Sequence, residues 1–169
     1  MINRKPTLHL ICGLPASGKS TYAKKLKQET KGVIFSIDDW LTTCFGAYLI
    51  DSVGHPEHIR RVIACRKLIL EVSGELLKRG ADVILDDGFF LQKDRNKYKE
   101  FAKKLSANVI IHYLDSDIDT IKSRIVLRNS HLPKDNFMIT PKLLDEMIAM
   151  FEKPDRSEGT IIYKKSDLI

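Results

Sequence analysis

The chain has 169 residues, a length that suits one domain built around a single hydrophobic core. Its balance of 43% hydrophobic and 30% charged residues is ordinary for a globular protein, and no apolar run is long enough for a membrane span or a signal peptide. The net charge of +6 fits anionic ligands in general and is weak support for nucleic acid in particular. We therefore expect a single cytoplasmic domain over residues 1–169 that does not associate with a membrane.

Short apolar runs alternate with segments of helical periodicity along the whole chain. The predicted strands cover residues 7–12, 33–37, 83–85, 109–114 and 160–163, and the predicted helices cover 19–27, 59–78, 93–105, 115–128 and 141–151. Gly32 is expected to cap the first helix, whereas residues 40–58 have no clear period. Strands separated by helices imply crossover connections, and continuous apolar strands imply a sheet covered on both faces. These patterns predict a three-layer α/β/α sandwich around a mainly parallel five-stranded sheet.

Residues 13–20, GLPASGKS, match the phosphate-binding pattern G-x-x-x-x-G-K-[ST] without a deviation. The glycines let backbone N–H groups turn toward a phosphate, and the helix that follows offers its unpaired N–H groups to the same anion. Lys19 is expected to reach the β- and γ-phosphates, Ser20 to bind Mg²⁺, and Thr21 to contact the α-phosphate. The residues predicted to bind the nucleotide are Gly13, Pro15, Ala16, Ser17, Gly18, Lys19, Ser20 and Thr21. The loop therefore predicts a site for a purine nucleoside triphosphate, ATP with Mg²⁺.

Two of the predicted strands end in paired aspartates, at the edge of the sheet where the phosphate loop lies. Asp38 would face the γ-phosphate from the acceptor side, where a carboxylate can take the proton from an attacking hydroxyl. Asp86 occupies the position from which an aspartate after a strand reaches the Mg²⁺ ion. A turn or a helix cap is the alternative for both residues, while Asp39 and Asp87 are expected to be caps or supporting groups.

Arg124 and Arg128 are four residues apart and therefore lie on one face of a predicted helix. Arginines at this position could close over the phosphates and neutralise charge in the transition state. The polar segment 129–139, which follows directly, would then be a lid that excludes water. A solvated basic helix face is the alternative for both arginines.

Together these motifs resemble the small P-loop kinases of the AAA_33-type group, which is related to zeta-toxin kinases, chloramphenicol phosphotransferase and the bacteriophage polynucleotide kinase domain. The resemblance covers residues 8–163, and the matching pieces are GLPASGKST, SIDD, VILDDGFF followed by KDR, YLD followed by R-x-x-x-R-N, and FEKPD. It implies the P-loop NTPase fold, with Asp38 as the general base and Arg124 and Arg128 as lid arginines. Polynucleotide kinases of this type usually carry an arginine shortly after the catalytic aspartate, whereas Trp and Leu follow Asp38 and Asp39 here.

The favoured interpretation is a kinase that transfers the γ-phosphoryl of Mg·ATP to a hydroxyl of a small molecule. One alternative is a 5′-hydroxyl polynucleotide kinase, in which Arg60, Arg61 or Arg66 would substitute for the missing arginine. The other is a non-catalytic, nucleotide-dependent switch or binding module, although the guanine-reading motif N-K-x-D does not occur in the sequence.

The segment 40–58 is assigned loosely to recognition of the acceptor. Trp40 and Tyr48 could stack on an acceptor, although packing in the core is the more frequent role of such aromatic residues. His55 and His58 are close enough to suggest a metal pair, but no further ligands cluster near them in the sequence. We therefore interpret the two histidines as the start of a surface helix.

Overall fold

The computed structural model describes residues 4–131 and 137–165, with the side chain of Asp51 excepted. Five parallel strands form one sheet in the order β2-β3-β1-β4-β5. The strands are β1 (Thr7–Cys12), β2 (Val33–Ser36), β3 (Val83–Gly88), β4 (Asn108–Asp115) and β5 (Ile161–Lys165). The predicted five-stranded α/β fold is therefore confirmed, and the described sheet is parallel throughout rather than mainly so.

Helices connect the successive strands and lie on both faces of the sheet. They are α1 (Lys19–Thr30), α2 (Ile37–Phe45), α3 (Ile50–Val53), α4 (His55–Lys78), α5 (Gln92–Lys104), α6 (Ile118–Ser130) and α7 (Pro141–Met150). None of these helices is both long enough and apolar enough to cross a membrane.

The strands are apolar throughout because both faces of the sheet are buried. Successive side chains of a strand point to opposite faces, so Leu10 and Ile11 of β1 belong to different clusters. Leu10 packs in the cluster that contains Ile69 of α4 and Tyr98 of α5, and Ile11 packs in the cluster that contains Leu26 of α1. The sheet therefore lies between two helical layers, as predicted.

The segment without a clear period is helical for most of its length. Ser36 caps α2, since its hydroxyl accepts a hydrogen bond from the N–H of Asp39 at 3.2 Å. The helix ends at Gly46, which has a φ of 73° and donates its N–H to the carbonyl of Thr42 at 2.9 Å. Helices as short as α2 and α3 contain too few turns for a repeat to be visible, so their apolar residues predicted no helix.

The predicted glycine cap of α1 is wrong. Lys31 adopts the left-handed conformation, with a φ of 57°, and its N–H donates to the carbonyl of Lys27 at 2.8 Å. Gly32 instead permits a close approach to the segment before β3. A Cβ at this position would lie 3.1 Å from the carbonyl oxygen of Asp82.

Two histidines are buried in the centre of the sheet. His9 of β1 is 4% exposed and His112 of β4 is 1% exposed, and Nδ1 of His9 lies 2.9 Å from Nε2 of His112. The hydroxyl of Tyr22 on α1 lies 2.9 Å from Nδ1 of His112. Burial lowers the pKa of both imidazoles, and that of His112 falls to about 3. Both rings are therefore neutral in the folded protein at neutral pH.

We expect the free energy of unfolding to fall as the pH is lowered below 6.5, the ordinary pKa of histidine. Below this pH the histidines of the unfolded chain bind protons, whereas the buried imidazoles of the folded chain stay neutral. The stabilisation that is present above pH 6.5 is therefore progressively lost as the pH falls. Each such histidine contributes a slope of about 1.4 kcal/mol per pH unit. Denaturant unfolding of the wild type and of His112→Gln, measured across this range, checks the prediction. The variant should show the shallower slope, and equal slopes would contradict it.

Candidate active site

The junction between β1 and α1 has the geometry of an anion-binding loop. Gly18 is the N-cap of α1 with a left-handed φ of 91°, and no side chain caps the helix. The first turn of α1 also lacks an acidic residue that would occupy its N–H groups. Because unpaired N–H groups and the helix dipole both favour an anion, this end of α1 fits a phosphate group.

Gly13 allows the loop to fold tightly against the two neighbouring strands. Its N–H donates to the carbonyl of Gly88 at 3.1 Å, which ties the loop to β3. A Cβ at residue 13 would lie 2.8 Å from Oγ of Ser17 and 2.9 Å from the carbonyl oxygen of Leu114. The second of these atoms belongs to the backbone of β4 and cannot move by a change of rotamer. The loop can therefore take this shape only with glycine at residue 13.

A cleft of about 530 Å³ opens at the carboxyl ends of the strands, next to this loop. It brings together most of the site residues that the sequence predicted, namely Pro15, Ala16, Gly18, Lys19, Ser20, Thr21, Asp38, Asp86, Arg124 and Arg128. Gly13 and Ser17, the other two members of the predicted set, are buried in the loop behind this lining. The predicted residues thus converge from the loop, α2, β3 and α6 on one cavity.

Lys19 lies at the centre of the charges in the cleft. Its ammonium group donates a hydrogen bond to the carbonyl oxygen of Leu14 at 2.8 Å. Burial is the largest influence and lowers the pKa of Lys19, while the negative charges of Asp86 and Asp38 oppose this effect. An ammonium group has three donors, so Lys19 can hold the loop and still bind a phosphate oxygen.

Asp38 belongs to the first turn of α2 and reaches the water in the cleft. Desolvation by the surrounding protein has the largest effect and raises the pKa of Asp38, whereas the charge of Lys19 lowers it. The positive charge of Arg128 acts in the same direction as that of Lys19. A carboxyl with a raised pKa, open to the cleft and close to a phosphate-binding lysine, has the properties of a general base.

Arg124 and Arg128 extend from α6 over the loop and the cleft. Nη1 of Arg124 donates to the carbonyl of Ala16 at 3.4 Å, and Nη2 of Arg128 donates to the carbonyl of Phe137 at 3.4 Å. Nε of Arg128 is buried and has no hydrogen-bond partner in the described part of the chain. Since a buried guanidinium N–H without a partner is costly, an anionic group bound in the cleft would satisfy it.

Ser20 and Asp86 fit a magnesium ion that is bound together with a nucleotide. Asp86 is 6% exposed and lies near the carboxyl end of β3 at the cleft, and Ser20 lies in the first turn of α1. Residues 4–131 and 137–165 contain no group of three or more histidines, cysteines or carboxylates that could hold a metal ion by itself. Mg²⁺ usually binds phosphate oxygens with only one or two protein ligands, which is the number that this site offers.

The three arginines of α4 that could replace the missing arginine do not line the cleft, and all three are paired with carboxylates, of which Asp87 does line it. Both Nε and Nη2 of Arg66 bind the carboxylate of Asp87, each at 2.6 Å. Arg60 and Arg61 both bind Glu57, with shortest distances of 2.7 and 2.8 Å. Asp87 therefore acts as the ion-pair partner of Arg66.

The aromatic residues of segment 40–58 have different environments. Trp40 packs edge-on against Phe35, with ring centroids 6.0 Å apart, beside the main core cluster. Tyr48 donates or accepts a hydrogen bond with Nδ1 of His58 at 3.0 Å, and His58 lines the cleft. The interpretation of His58 as part of a surface helix missed this position, because nothing in an aperiodic segment indicates which side chains face a cavity.

The predicted lid, residues 129–139, is described only in part, since residues 132–136 lie outside the described residues. Ser130 is the last residue of α6. Further along, Phe137, Met138 and Ile139 line the cleft together with Leu143 of α7. The described residues that come after 136 thus present apolar side chains to the cleft.

The fold and the cleft together define a P-loop fold of the nucleotide-binding kinase type. Residues 8–154 match the family model of the AAA domain (AAA_33), which is well over half of the chain. The protein therefore belongs to this family, and the resemblance to small P-loop kinases is confirmed. A comparison with curated proteins finds no match.

Solved structures share the fold at low sequence identity. A candidate kinase from Chloroflexus aurantiacus J-10-fl has a TM-score of 0.77 at 16% identity, covering 96% of this chain and 89% of its own. A gluconokinase from Sinorhizobium meliloti 1021 has a TM-score of 0.66 at 19% identity, covering 96% and 84%. Kti12 from Chaetomium thermophilum, solved with ADP-AlF3, has a TM-score of 0.71 at 15% identity, covering 94% and 88%. At these identities the similarity establishes a common fold.

We expect Gly13→Ala to weaken nucleotide binding strongly. The added Cβ would clash with the backbone of β4, and overpacking of this kind costs about 1–3 kcal/mol, or roughly 5- to 150-fold in affinity. Calorimetric titration with an unreactive ATP analogue measures the effect. Gly80→Ala is the matched control, because Gly80 has a φ of 81° but a Cβ there would meet no atom within 4 Å. The control should bind normally, and normal binding by folded Gly13→Ala would refute the assignment of the loop.

Proposed function

We propose that the protein is an ATP-dependent phosphotransferase that moves the γ-phosphoryl group of Mg·ATP to a hydroxyl of a small molecule. The observation that carries this proposal is that the phosphate loop, Asp38 and Arg128 meet in one cleft. A nucleotide-binding protein needs only the first of these features. A carboxylate and an arginine on the far side of the phosphates are what transfer to an acceptor requires.

The donor side of the cleft would hold the triphosphate. The first turn of α1 and Lys19 bind the phosphates, and Ser20 and Asp86 hold the magnesium ion. When bound, this ion neutralises phosphate charge and orients the triphosphate for displacement. The neighbour solved with ADP-AlF3 supports nucleotide binding by this fold.

The acceptor hydroxyl would approach from the side of Asp38. Its oxygen forms a bond with the γ-phosphorus, and the bond from that phosphorus to the oxygen it shares with the β-phosphate breaks, which releases ADP. Asp38 takes the proton that the hydroxyl loses. Arg124 and Arg128 stabilise the negative charge of the phosphoryl group during its transfer. An arginine in this role has a large effect on the rate.

A small acceptor is favoured over the end of a nucleic acid. Arg60, Arg61 and Arg66 do not line the cleft and are already paired with Glu57 and Asp87, which supports an acceptor that brings no phosphate of its own. The fold neighbours that are described as a gluconokinase and a sugar kinase support small hydroxyl compounds as acceptors. The proposal therefore assigns this protein to kinases with an alcohol group as acceptor.

The decisive experiment measures ADP release from Mg·ATP with and without hydroxyl acceptors. The panel should contain sugars, sugar acids, nucleosides, aromatic alcohols and 5′-hydroxyl oligonucleotides. Stimulation by a small acceptor would support the proposal, and stimulation only by oligonucleotides would favour the nucleic-acid alternative. Tight ATP binding without stimulation by any class would count against a kinase and in favour of a nucleotide-dependent switch.

We expect Asp38→Asn to stop transfer while sparing nucleotide binding. An amide cannot take the proton from the acceptor, and loss of a general base typically lowers kcat about 10²- to 10⁴-fold. Asp39→Asn is the matched control, since Asp39 is exposed and does not line the cleft. Steady-state kinetics and ATP titration of both variants check the prediction. A normal kcat for Asp38→Asn would mean that another group is the base.

The same assignment predicts a pH dependence. Only ionised Asp38 accepts a proton, so kcat/KM should fall as the pH drops through its pKa. Because the surrounding protein raises this pKa, the acid limb of the profile should lie above 3.8, the ordinary value for aspartate. The profile should be recorded over the range in which circular dichroism shows a folded protein. Full activity down to that ordinary value would argue against Asp38.

A further inference from the structure

One wall of the cleft contains no residue of the phosphate-binding set. It consists of Ile37 at the start of α2, Ile50 of α3, His58 in the first turns of α4, and Phe137. Tyr48 supports this wall from behind through contacts with His58 and Phe137. These five residues are called the aromatic wall below.

The aromatic wall lies on the acceptor side of the cleft. Ile37 directly precedes Asp38, and the carbonyl of Phe137 accepts a hydrogen bond from Arg128 at 3.4 Å. Arg128 and Asp38 both line the cleft, and their charges interact. A molecule that offers a hydroxyl to Asp38 would therefore have this wall beside it.

Three rings of the wall contact one another at their edges. The centroids of Tyr48 and Phe137 are 5.0 Å apart, those of Tyr48 and His58 are 5.9 Å apart, and those of His58 and Phe137 are 6.1 Å apart. Their planes are inclined by 63° to 74°, the edge-to-face arrangement that aromatic pairs prefer. Mutual contact fixes each ring, so the wall is a preformed surface.

His58 adds one polar group to this surface. Its Nδ1 lies 3.0 Å from the hydroxyl of Tyr48, and the guanidinium of Arg61 lies 4.6 Å from the centroid of the tyrosine ring. Burial lowers the pKa of His58 and raises that of Tyr48, so the imidazole is neutral and the phenol keeps its proton. With the phenol donating to Nδ1, the hydrogen of the imidazole is on Nε2, where it can be donated to a ligand.

The charges of the cleft are unequally distributed with respect to this wall. The described lining has three cationic side chains, Lys19, Arg124 and Arg128, and the triphosphate requires them all. The residues of the aromatic wall carry no charge, and the carboxylates of Asp38, Asp86 and Asp87 line the same cleft. The arginines nearest to the wall are Arg61, which stacks on Tyr48, and Arg66, and they are paired with Glu57 and Asp87. An acceptor with its own negative charge would therefore find no unpaired cation on the wall to compensate for its loss of water.

We propose that the acceptor is an uncharged hydroxyl compound that carries an aromatic or apolar ring. The ring packs on Phe137 and Ile50, and an oxygen or nitrogen atom of the compound accepts a hydrogen bond from Nε2 of His58. His58 and Phe137 are then specificity-determining residues of the acceptor site. This inference depends on the proposed function, because it concerns the second substrate of the same reaction.

Matched pairs of acceptors test the proposal. Each pair should contain the same ring and hydroxyl and differ only in charge, such as thymidine and its 3′-monophosphate, or 2-phenylethanol and its ring carboxylate. We expect kcat/KM to be at least about tenfold higher for the uncharged member of each pair. Equal or better use of the anionic members would overturn the inference while the kinase function stands. A protein that no acceptor of the wider panel stimulates would refute the function itself, and the inference with it.

Variants of the wall separate a role in acceptor binding from a structural role. His58→Leu should raise KM for an uncharged acceptor about 3- to 10-fold, with KM for ATP unchanged, because one hydrogen bond to the acceptor is lost. His58→Gln should restore part of the effect, since its amide can donate in place of Nε2. Phe137→Ala should raise the same KM and leave the backbone carbonyl that binds Arg128 in place. His55→Leu is the control, because His55 does not line the cleft. Unchanged acceptor KM in both His58→Leu and Phe137→Ala would overturn the proposal.

Discussion

The site depends on the unpaired backbone N–H groups at the start of α1. A helix end of this kind needs an anion, and the parallel sheet determines what else lies near that anion. Because β3 pairs with β1, Asp86 lies opposite Ile11 in the register and therefore beside the phosphate loop. Because β2 pairs with β3, Ser36 is the partner of Asp86, and α2 therefore begins with Asp38 at the same edge. The positions of both aspartates at this edge thus follow from the strand order.

Arg95 of α5 and the residues that it contacts support this arrangement from within the protein. Arg95 is fully buried, binds Glu158 through two hydrogen bonds of 2.7 Å, and donates to the carbonyl of Phe89 at 2.8 Å. The rings of Phe90 and Phe151 meet edge-on with centroids 5.6 Å apart. These contacts join the end of β3 to the segment before β5. A buried ion pair whose guanidinium also binds backbone carbonyls fixes geometry more than it adds stability.

The sequence predicts the donor half of the cleft much better than the acceptor half. Residues 13–20 interact with phosphate through backbone groups and a few fixed side chains, so a short contiguous motif is sufficient to identify them. Strands and long helices are predicted because burial on both faces of the sheet imposes a period. By contrast, His58 and Phe137 reach the cleft from segments that lack a period, and they are 79 positions apart in the numbering of the chain. Only the tertiary fold brings such residues together, as it also does for the buried contact between His9 and His112.

The donor and acceptor halves of the cleft are constrained differently in proteins that share the fold. Backbone groups that bind phosphates recognise a feature common to all nucleoside triphosphates, so the donor half can stay constant while other residues change. The proposed acceptor half is built from side chains on α2, α3 and the start of α4. Ile37 of α2 belongs to the main core cluster, whereas Ile50 of α3 and His58 of α4 lie outside it. Under the proposed function, exchanging one aromatic residue there would change the acceptor without disturbing β1, β3 or the loop. Neighbours at 15–19% identity share this fold, which by itself determines no acceptor. In the acceptor site proposed here, His58 and Phe137 would distinguish the substrate of this chain, whereas the phosphate loop would recognise only what all nucleoside triphosphates have in common.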